Sequence, residues 1–195
     1  LPNPLPVDKV TGQGSYADEH LSAMRYSDWA LGRFFEQIKD EPYYDQTLFV
    51  IVGDHGFGTP QQLTELDLLR FHVPPGMNQR FGEQNDIVGT QVDIVPTIMG
   101  RLGGKVRHQC WGRDLLSLPA DDRGVGIIKP SGGGQTVGII RGDEVVIQPR
   151  DEEPKAYRYQ LGAEPKATLL PNAPQLQDWQ QQLEAYVQTA TQALL

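Results

Sequence analysis

Apolar residues crowd most densely where Leu48-Phe49-Val50-Ile51-Val52 follows Thr47 without a polar interruption. A run like this leaves no side chain for solvent, so it predicts a strand buried on both faces, as in the middle of a parallel sheet. The run stops abruptly at Gly53-Asp54-His55-Gly56, at the strand's carboxyl end. Upstream, Leu21, Met24, Leu31, Phe34, Phe35 and Ile38 recur at helical spacing. They predict an amphipathic helix over 16–39, opened by a capping box of Ser15 and Asp18 and closed before Pro42. Helix, turn and buried strand in that order make half of a βαβ crossover. Pro2, Pro4, Pro6, Gly12 and Gly14 mark residues 1–14 as an extended lead-in.

Further along, residues 61–70 suit a short helix, 87–89 a brief strand, and 92–102 a helix with Pro96 in its first turn. From Gly124 the period changes. Short apolar or alternating runs at 125–129, 136–141 and 145–148 are separated by Ser131-Gly132-Gly133-Gly134 and Gly142-Asp143, which is antiparallel β punctuation, and Tyr157-Arg158-Tyr159 adds a fourth strand. The proline-rich stretch 164–174 reads as a linker or surface loop, and 176–195, rich in Gln, Ala and Leu, as an amphipathic terminal helix. The expected fold class is α/β: a parallel-rich sheet flanked by helices, a small C-terminal antiparallel β subdomain and a terminal helix. The corresponding division is 1–123, 124–163 and 164–195.

Composition narrows the partners. A chain of 195 residues with 38% hydrophobic content can bury a core, and its net charge of −8 disfavours nucleic acid or an anionic membrane surface while suiting metal cations. The single cysteine, Cys110, excludes an internal disulfide and a cysteine zinc cluster. No stretch approaches the ~20 apolar residues of a membrane span, and Leu1-Pro2-Asn3-Pro4 lacks the features of a signal peptide.

Candidate chemistry centres on Asp54 and His55. A carboxylate beside a neutral imidazole suits Mn or Zn better than the all-oxygen shells of Mg or Ca. Neighbours on a regular strand point to opposite faces, but Gly53 and Gly56 let the backbone leave that conformation so that both side chains can reach one ion. An Asp-His dipeptide is also an ordinary loop hydrogen-bonding pair, and its place directly after a buried strand is what favours a ligand site.

Five segments in order carry a family resemblance: Tyr26-Ser27-Asp28 with Leu31-Gly32, TLFVIVGDHG at 47–56, Phe71-His72-Val73-Pro74, QVDIVPTIMGRLG at 91–103, and Trp111-Gly112-Arg113-Asp114-Leu115-Leu116. Together they resemble the C-terminal half of a sulfatase-type domain of the alkaline-phosphatase-like superfamily, most similar to the lipoteichoic-acid synthase and phosphoglycerol transferase branch. The resemblance implies that Asp54 and His55 are metal ligands, with Mn or Zn as the cofactor. It implies a substrate that is a phosphate or sulfate ester, lipid-linked ones included, and an extracytoplasmic, membrane-anchored full-length protein. It also implies an upstream hydroxyl nucleophile and a further acidic ligand that these residues do not include. A divalent site needs about four ligands, so no catalytic nucleophile is assigned here and the missing N-terminal half is the expected partner. The alternative reading is a catalytically inert binding or scaffold module of the same fold.

Other residues carry two readings each. His72 either contacts the phosphate or sulfate, or an outer metal shell, or is a partly exposed loop imidazole. The family pattern continues after His72-Val73-Pro74 with an apolar strand, whereas this chain passes directly to Pro75-Gly76, an apparent gap. Asp28 is a buried orienting carboxylate or a solvated helix-face residue; Asp93 touches the site or caps its own helix, the capping role being favoured. His20 and His108 are expected at the surface, and Arg113 is expected to stack on Trp111.

Overall fold

The computed structural model describes residues 6–9, 16–56, 62–72, 87–104, 107–130, 135–162 and 164–193. They belong to two compact units, Leu1–Ile51 and Val52–Leu195.

In the first unit, helix α1 spans Tyr16–Ile38, within one residue of the range predicted from its apolar spacing. Ser15, the expected cap, lies outside the described residues. Two turns follow, and Phe49 then packs edge-on to Phe35 with ring centroids 5.3 Å apart and to Phe34 at 6.4 Å, with Tyr44 at 5.4 Å. This aromatic cluster holds residues 47–51 against the end of α1. Toward its start the helix's apolar stripe stays open: Leu21 and Met24 are exposed, and the residue α1 does bury is Ser22, whose hydroxyl donates to the Asp18 carbonyl.

The predicted central strand departs from expectation. Residues 47–52 form no strand, and Leu48, Val50, Ile51 and Val52 are 46–49% exposed. A strand buried on both faces needs neighbouring strands to pair its N–H and C=O groups and helices to cover its sides. Among the described residues no strand pairs with it, so its apolar side chains remain at the surface.

The second unit is built on a five-stranded antiparallel sheet of β1 (Gly126–Ile128), β2 (Val137–Arg141), β3 (Glu144–Gln148), β4 (Lys155–Gln160) and β5 (Lys166–Leu169), in that spatial order. Gly142, at φ 57°, makes the two-residue turn between β2 and β3 with Asp143; only a residue without Cβ takes that conformation cheaply. The strict alternation of β3 serves both faces. Val145 and Ile147 point to one side, where Leu66, Leu68 and Ile128 complete a core, while Val146 joins Ile139, Ala156 and Leu183 on the other. The register agrees, because Val145 faces Ile140 and Tyr157 while Val146 faces Ile139 and Ala156. Removing each such aliphatic side chain from water contributes about 1.5–3 kcal/mol.

Leu183 comes from the terminal helix, α4 (Leu176–Gln192), which lies where the Gln/Ala/Leu-rich tail predicts a helix. The strand β5 replaces part of the expected linker over 164–174. Pro165 and Pro171 bracket Lys166–Leu169 instead of interrupting it, so its N–H groups remain available for the ladder to β4. The short helix expected over 61–70 appears later and shorter, as α2 (Leu68–Phe71). The helix expected over 92–102 appears as a 3-10 turn, Gln91–Asp93, leading into α3 (Ile94–Leu102) with Pro96 in its first turn. The brief strand at 87–89 reduces to one parallel bridge, Val88 to Gly124. The apparent gap after Pro74 falls outside the described residues.

Candidate metal centre

Asp54 and His55 stand at the start of the second unit, in a turn held from two sides. From one side, the Gly56 N–H donates to the Arg70 carbonyl at 2.7 Å. A Cβ at Gly56 would collide with the backbone carbonyls of His72 and Leu69, so glycine is what lets the turn seat on the end of α2. From the other side, the Gln91 Nε2 donates to the carbonyls of Asp54 at 2.8 Å and Gly53 at 3.3 Å. The sheet takes part at one remove, since Leu66 and Leu68, just ahead of that helix end, are buried against β3.

Within the turn the two side chains converge. His55 Nε2 and Asp54 Oδ2 are 3.6 Å apart, inside the ~4.2 Å that two metal bonds of ~2.1 Å can span. His55 Nδ1 lies 2.8 Å from the Gly56 carbonyl. A carbonyl only accepts, so Nδ1 carries the proton and donates it, which leaves the Nε2 lone pair on the side of the Asp54 carboxylate. A metal-binding histidine has this arrangement, one ring nitrogen tied to a backbone oxygen and the other free to ligate. The His55 N–H also donates to Asp54 Oδ1 at 2.9 Å, fixing the carboxylate's rotation while Oδ2 faces the ring. Both side chains are largely solvent-facing. The donor set, one anionic oxygen and one neutral nitrogen, fits a divalent transition metal. Among the described residues no cluster of three or more His, Cys, Asp or Glu side chains could hold an ion, so the pair by itself does not make a complete coordination shell.

His72 is the C-cap of α2, its N–H donating to the carbonyls of Leu68 and Leu69, and its own carbonyl lies under Gly56. Its imidazole is half-buried, and burial lowers its pKa, favouring the neutral ring.

The remaining candidates separate cleanly. Asp28 is exposed on α1, where its neighbour Trp29 stacks on Tyr26, so the solvated reading holds. Asp93 is 2% exposed and, contrary to the expected capping role, its side chain makes no cap bond to the helix that starts at Ile94; it closes the capping box of the preceding 3-10 turn, Oδ2 accepting the Thr90 N–H at 2.8 Å and the Thr90 hydroxyl at 3.3 Å. His108 is exposed and accepts the Cys110 N–H, and His20 packs its ring against Tyr16. Arg113 does not stack on Trp111. Its guanidinium is drawn inward by the carbonyls of Val125 at 2.9 Å and Val88 at 3.4 Å and by the Asp93 carboxylate at 3.5 Å, while Trp111 packs edge-on to Tyr186. Gln91 is the residue that sequence reasoning passed over. Its only signal was its place directly ahead of Val92-Asp93, and an amide side chain has no spacing that marks it as a tether.

None of the described helices is long and apolar enough to cross a membrane. Residues 2–104, more than half of the chain, match the Sulfatase family model. The chain is 29% identical over 132 residues to the lipoteichoic acid synthase-like YvgJ of Bacillus subtilis, a match covering 57% of this chain and 21% of that protein. It is 30% identical over 109 residues to PehA, a multifunctional alkaline phosphatase superfamily protein of Trinickia caryophylli, covering 49% of this chain and 20% of that one. The chain thus spans about a fifth of the length of these relatives. A crystal structure of an alkaline phosphatase superfamily protein from Vibrio parahaemolyticus superposes with a TM-score of 0.71 at 20% identity, over 96% of this chain and 45% of that one, which establishes an alkaline-phosphatase-like fold. The chain therefore belongs to the sulfatase family, as part of a sulfatase-type domain close to the lipoteichoic acid synthase branch.

Proposed function

We propose that this chain is the metal-binding part of an enzyme acting on phosphate or sulfate esters by hydrolysis or phosphoglycerol transfer, with Asp54 and His55 as ligands to Mn or Zn. The observation that carries the reading is the convergence of Nε2 and Oδ2 to 3.6 Å with Nδ1 committed to the Gly56 carbonyl. Bound there, a divalent ion would polarise an ester oxygen and lower the pKa of a hydroxyl nucleophile. Asp54 supplies a full negative charge to hold it. His55 supplies a lone pair whose direction the Gly56 carbonyl fixes. His72, kept neutral by burial, serves as a hydrogen-bonding partner for the phosphate or sulfate. The remaining ligands and the nucleophile come from another part of the whole protein, the N-terminal half of the same domain.

In that assembly, residues 47–52 take their place in a parallel-rich sheet, which is what their apolar pattern suits. Residues 1–123 form part of the α/β core; the small antiparallel subdomain runs from 124 through β5, past the expected boundary at 163, and the terminal helix packs on it. The kinship with a lipoteichoic acid synthase-like protein supports a lipid-linked ester substrate and an extracytoplasmic, membrane-anchored setting.

The test uses the whole protein and titrates Mn2+ and Zn2+ calorimetrically, alongside turnover of a nitrophenyl phosphodiester and a nitrophenyl sulfate. The Asp54→Ala, His55→Ala double variant is expected to lose metal affinity by at least 100-fold and to lose turnover of one ester class. Undiminished metal content and turnover in that variant would overturn the proposal. Metal binding by the wild type with no turnover of either ester would favour a catalytically inert module.

A further inference from the structure

We infer that Gln91 is a positioning residue that sets the backbone of the Asp54-His55 pair. This deepens the metal-site reading above and rests on it for its consequence, though the tether itself stands on geometry alone. Both acceptors of the Gln91 side chain are backbone carbonyls, Gly53 at 3.3 Å and Asp54 at 2.8 Å, so its amide must present the NH2 end to them. Thirty-seven residues separate Gln91 from Asp54, so the bond is a tertiary tie and not a feature of the turn.

A flexible exposed side chain would be a poor anchor unless its own backbone were fixed, and here it is. Gln91 opens the 3-10 turn Gln91–Asp93, which is locked by the capping box between Thr90 and the buried Asp93 carboxylate. Asp93 Oδ1 in turn accepts the Arg113 N–H at 2.7 Å, and a Cβ at Gly112 would run into the Val92 carbonyl, so the two segments are in backbone contact. The chain of contacts runs from the Trp111-Gly112-Arg113 loop through Asp93 to Gln91 and on to the Asp54 carbonyl. With the carbonyls of Gly53 and Asp54 drawn toward Gln91, and the Gly56 N–H toward Arg70, the turn is pinned at both ends around its two outward side chains.

The test again uses the whole protein, comparing wild type with Gln91→Leu and with Gln91→Glu, an isosteric change that removes the donor. Without metal, hydrogen exchange across residues 53–56 is expected to speed several-fold in both variants, with little change in Tm because the side chain is exposed. With Mn2+, the dissociation constant is expected to weaken about 10-fold, as when groups that orient a metal ligand are removed. Unchanged exchange in Gln91→Leu overturns the tether. Faster exchange with unchanged Mn2+ affinity, while Asp54→Ala loses the metal, overturns its role in positioning the pair. If Asp54→Ala also keeps the metal, the ligand assignment fails, and the exchange result alone then decides whether Gln91 orders the turn.

Discussion

Asp93 Oδ1 accepts the backbone N–H of Arg113 at 2.7 Å, joining two segments twenty residues apart through a carboxylate that is almost fully buried. The same carboxylate receives Thr90 through its other oxygen. Thr97 reinforces the joint, its hydroxyl donating to the Asp93 carbonyl and accepting the Leu115 N–H. Two of the ordered segments that carry the family resemblance are thus a single structural joint.

Asp93→Ala is therefore expected to destabilise the protein by about 3 kcal/mol, because it removes charge-assisted bonds and leaves the Arg113 guanidinium half-buried without its anion. For a chain of this size that is a fall in Tm on the order of 5–10 °C by calorimetry. Asn in its place keeps one acceptor and should recover part of the loss.

The sheet offers a test of how its two cores share the load. Ile147 belongs to the core with Leu66 and Leu68, and Leu183 to the one with Ile139 and Val146. Each truncation to Ala is expected to cost about 2–5 kcal/mol. Because the two side chains sit in separate clusters on opposite faces of β3, the costs should add to within about 0.5 kcal/mol in urea unfolding of the double variant. A deficit much larger than the sum would mean that the faces unfold as one tightly coupled layer.

What the sequence revealed followed from how local each signal was. The helix at 16–38 and the hairpin at Gly142-Asp143 are written in short-range spacing and turn chemistry, so they were legible. The run at 48–52 was read correctly as apolar, but burial depends on what surrounds it, and no period in its own residues contains that information. In the 164–174 stretch, proline content masked a strand, because prolines at the ends of a ladder cost it nothing. The Asp54-His55 pair was singled out as a candidate by residue type, by its place directly after an apolar run and by the family resemblance. Gln91 and the seating of Gly56 on His72 are contacts between distant segments, which one sequence does not display.

Glycine substitutions give a paired prediction. Gly32 lies within α1 with open space where a Cβ would go, so Gly32→Ala should stabilise the helix by about 0.5–1 kcal/mol. Gly56→Ala places a methyl against two rigid backbone carbonyls, so the turn must lift off α2. Expected outcomes are a loss of about 2 kcal/mol or more and, in the whole protein, a larger loss of metal affinity than of fold. Thermal unfolding with and without Mn2+ reads both; equal stability for the two alanine variants would contradict the seating of the turn.

Glu65 yields the pH dependence. It ties the segment bearing α2 to the sheet, accepting Lys155 Nζ at 2.7 Å and the Tyr157 hydroxyl at 2.8 Å. Burial pushes its carboxyl upward, but the hydrogen bonds from Lys155, its own backbone and Tyr157 outweigh that and hold it below its usual 4.5. The partners respond in kind, Tyr157 being pushed up to about 12 by burial and by the Glu65 hydrogen bond. A carboxyl with a depressed folded-state pKa binds protons more readily in the unfolded chain. Its stabilisation is therefore complete above about pH 4.5 and disappears as the pH falls from there through the folded-state value. Because the group is partly exposed, its contribution at neutral pH is held to about 1 kcal/mol or less. Glu65→Gln should lose that much at pH 7 in urea unfolding, and the gap to wild type should close as the pH falls below about 4.5 and through the lowered folded-state value. A gap that stays constant over that range would show that the Glu65 charge does not hold this segment to β4.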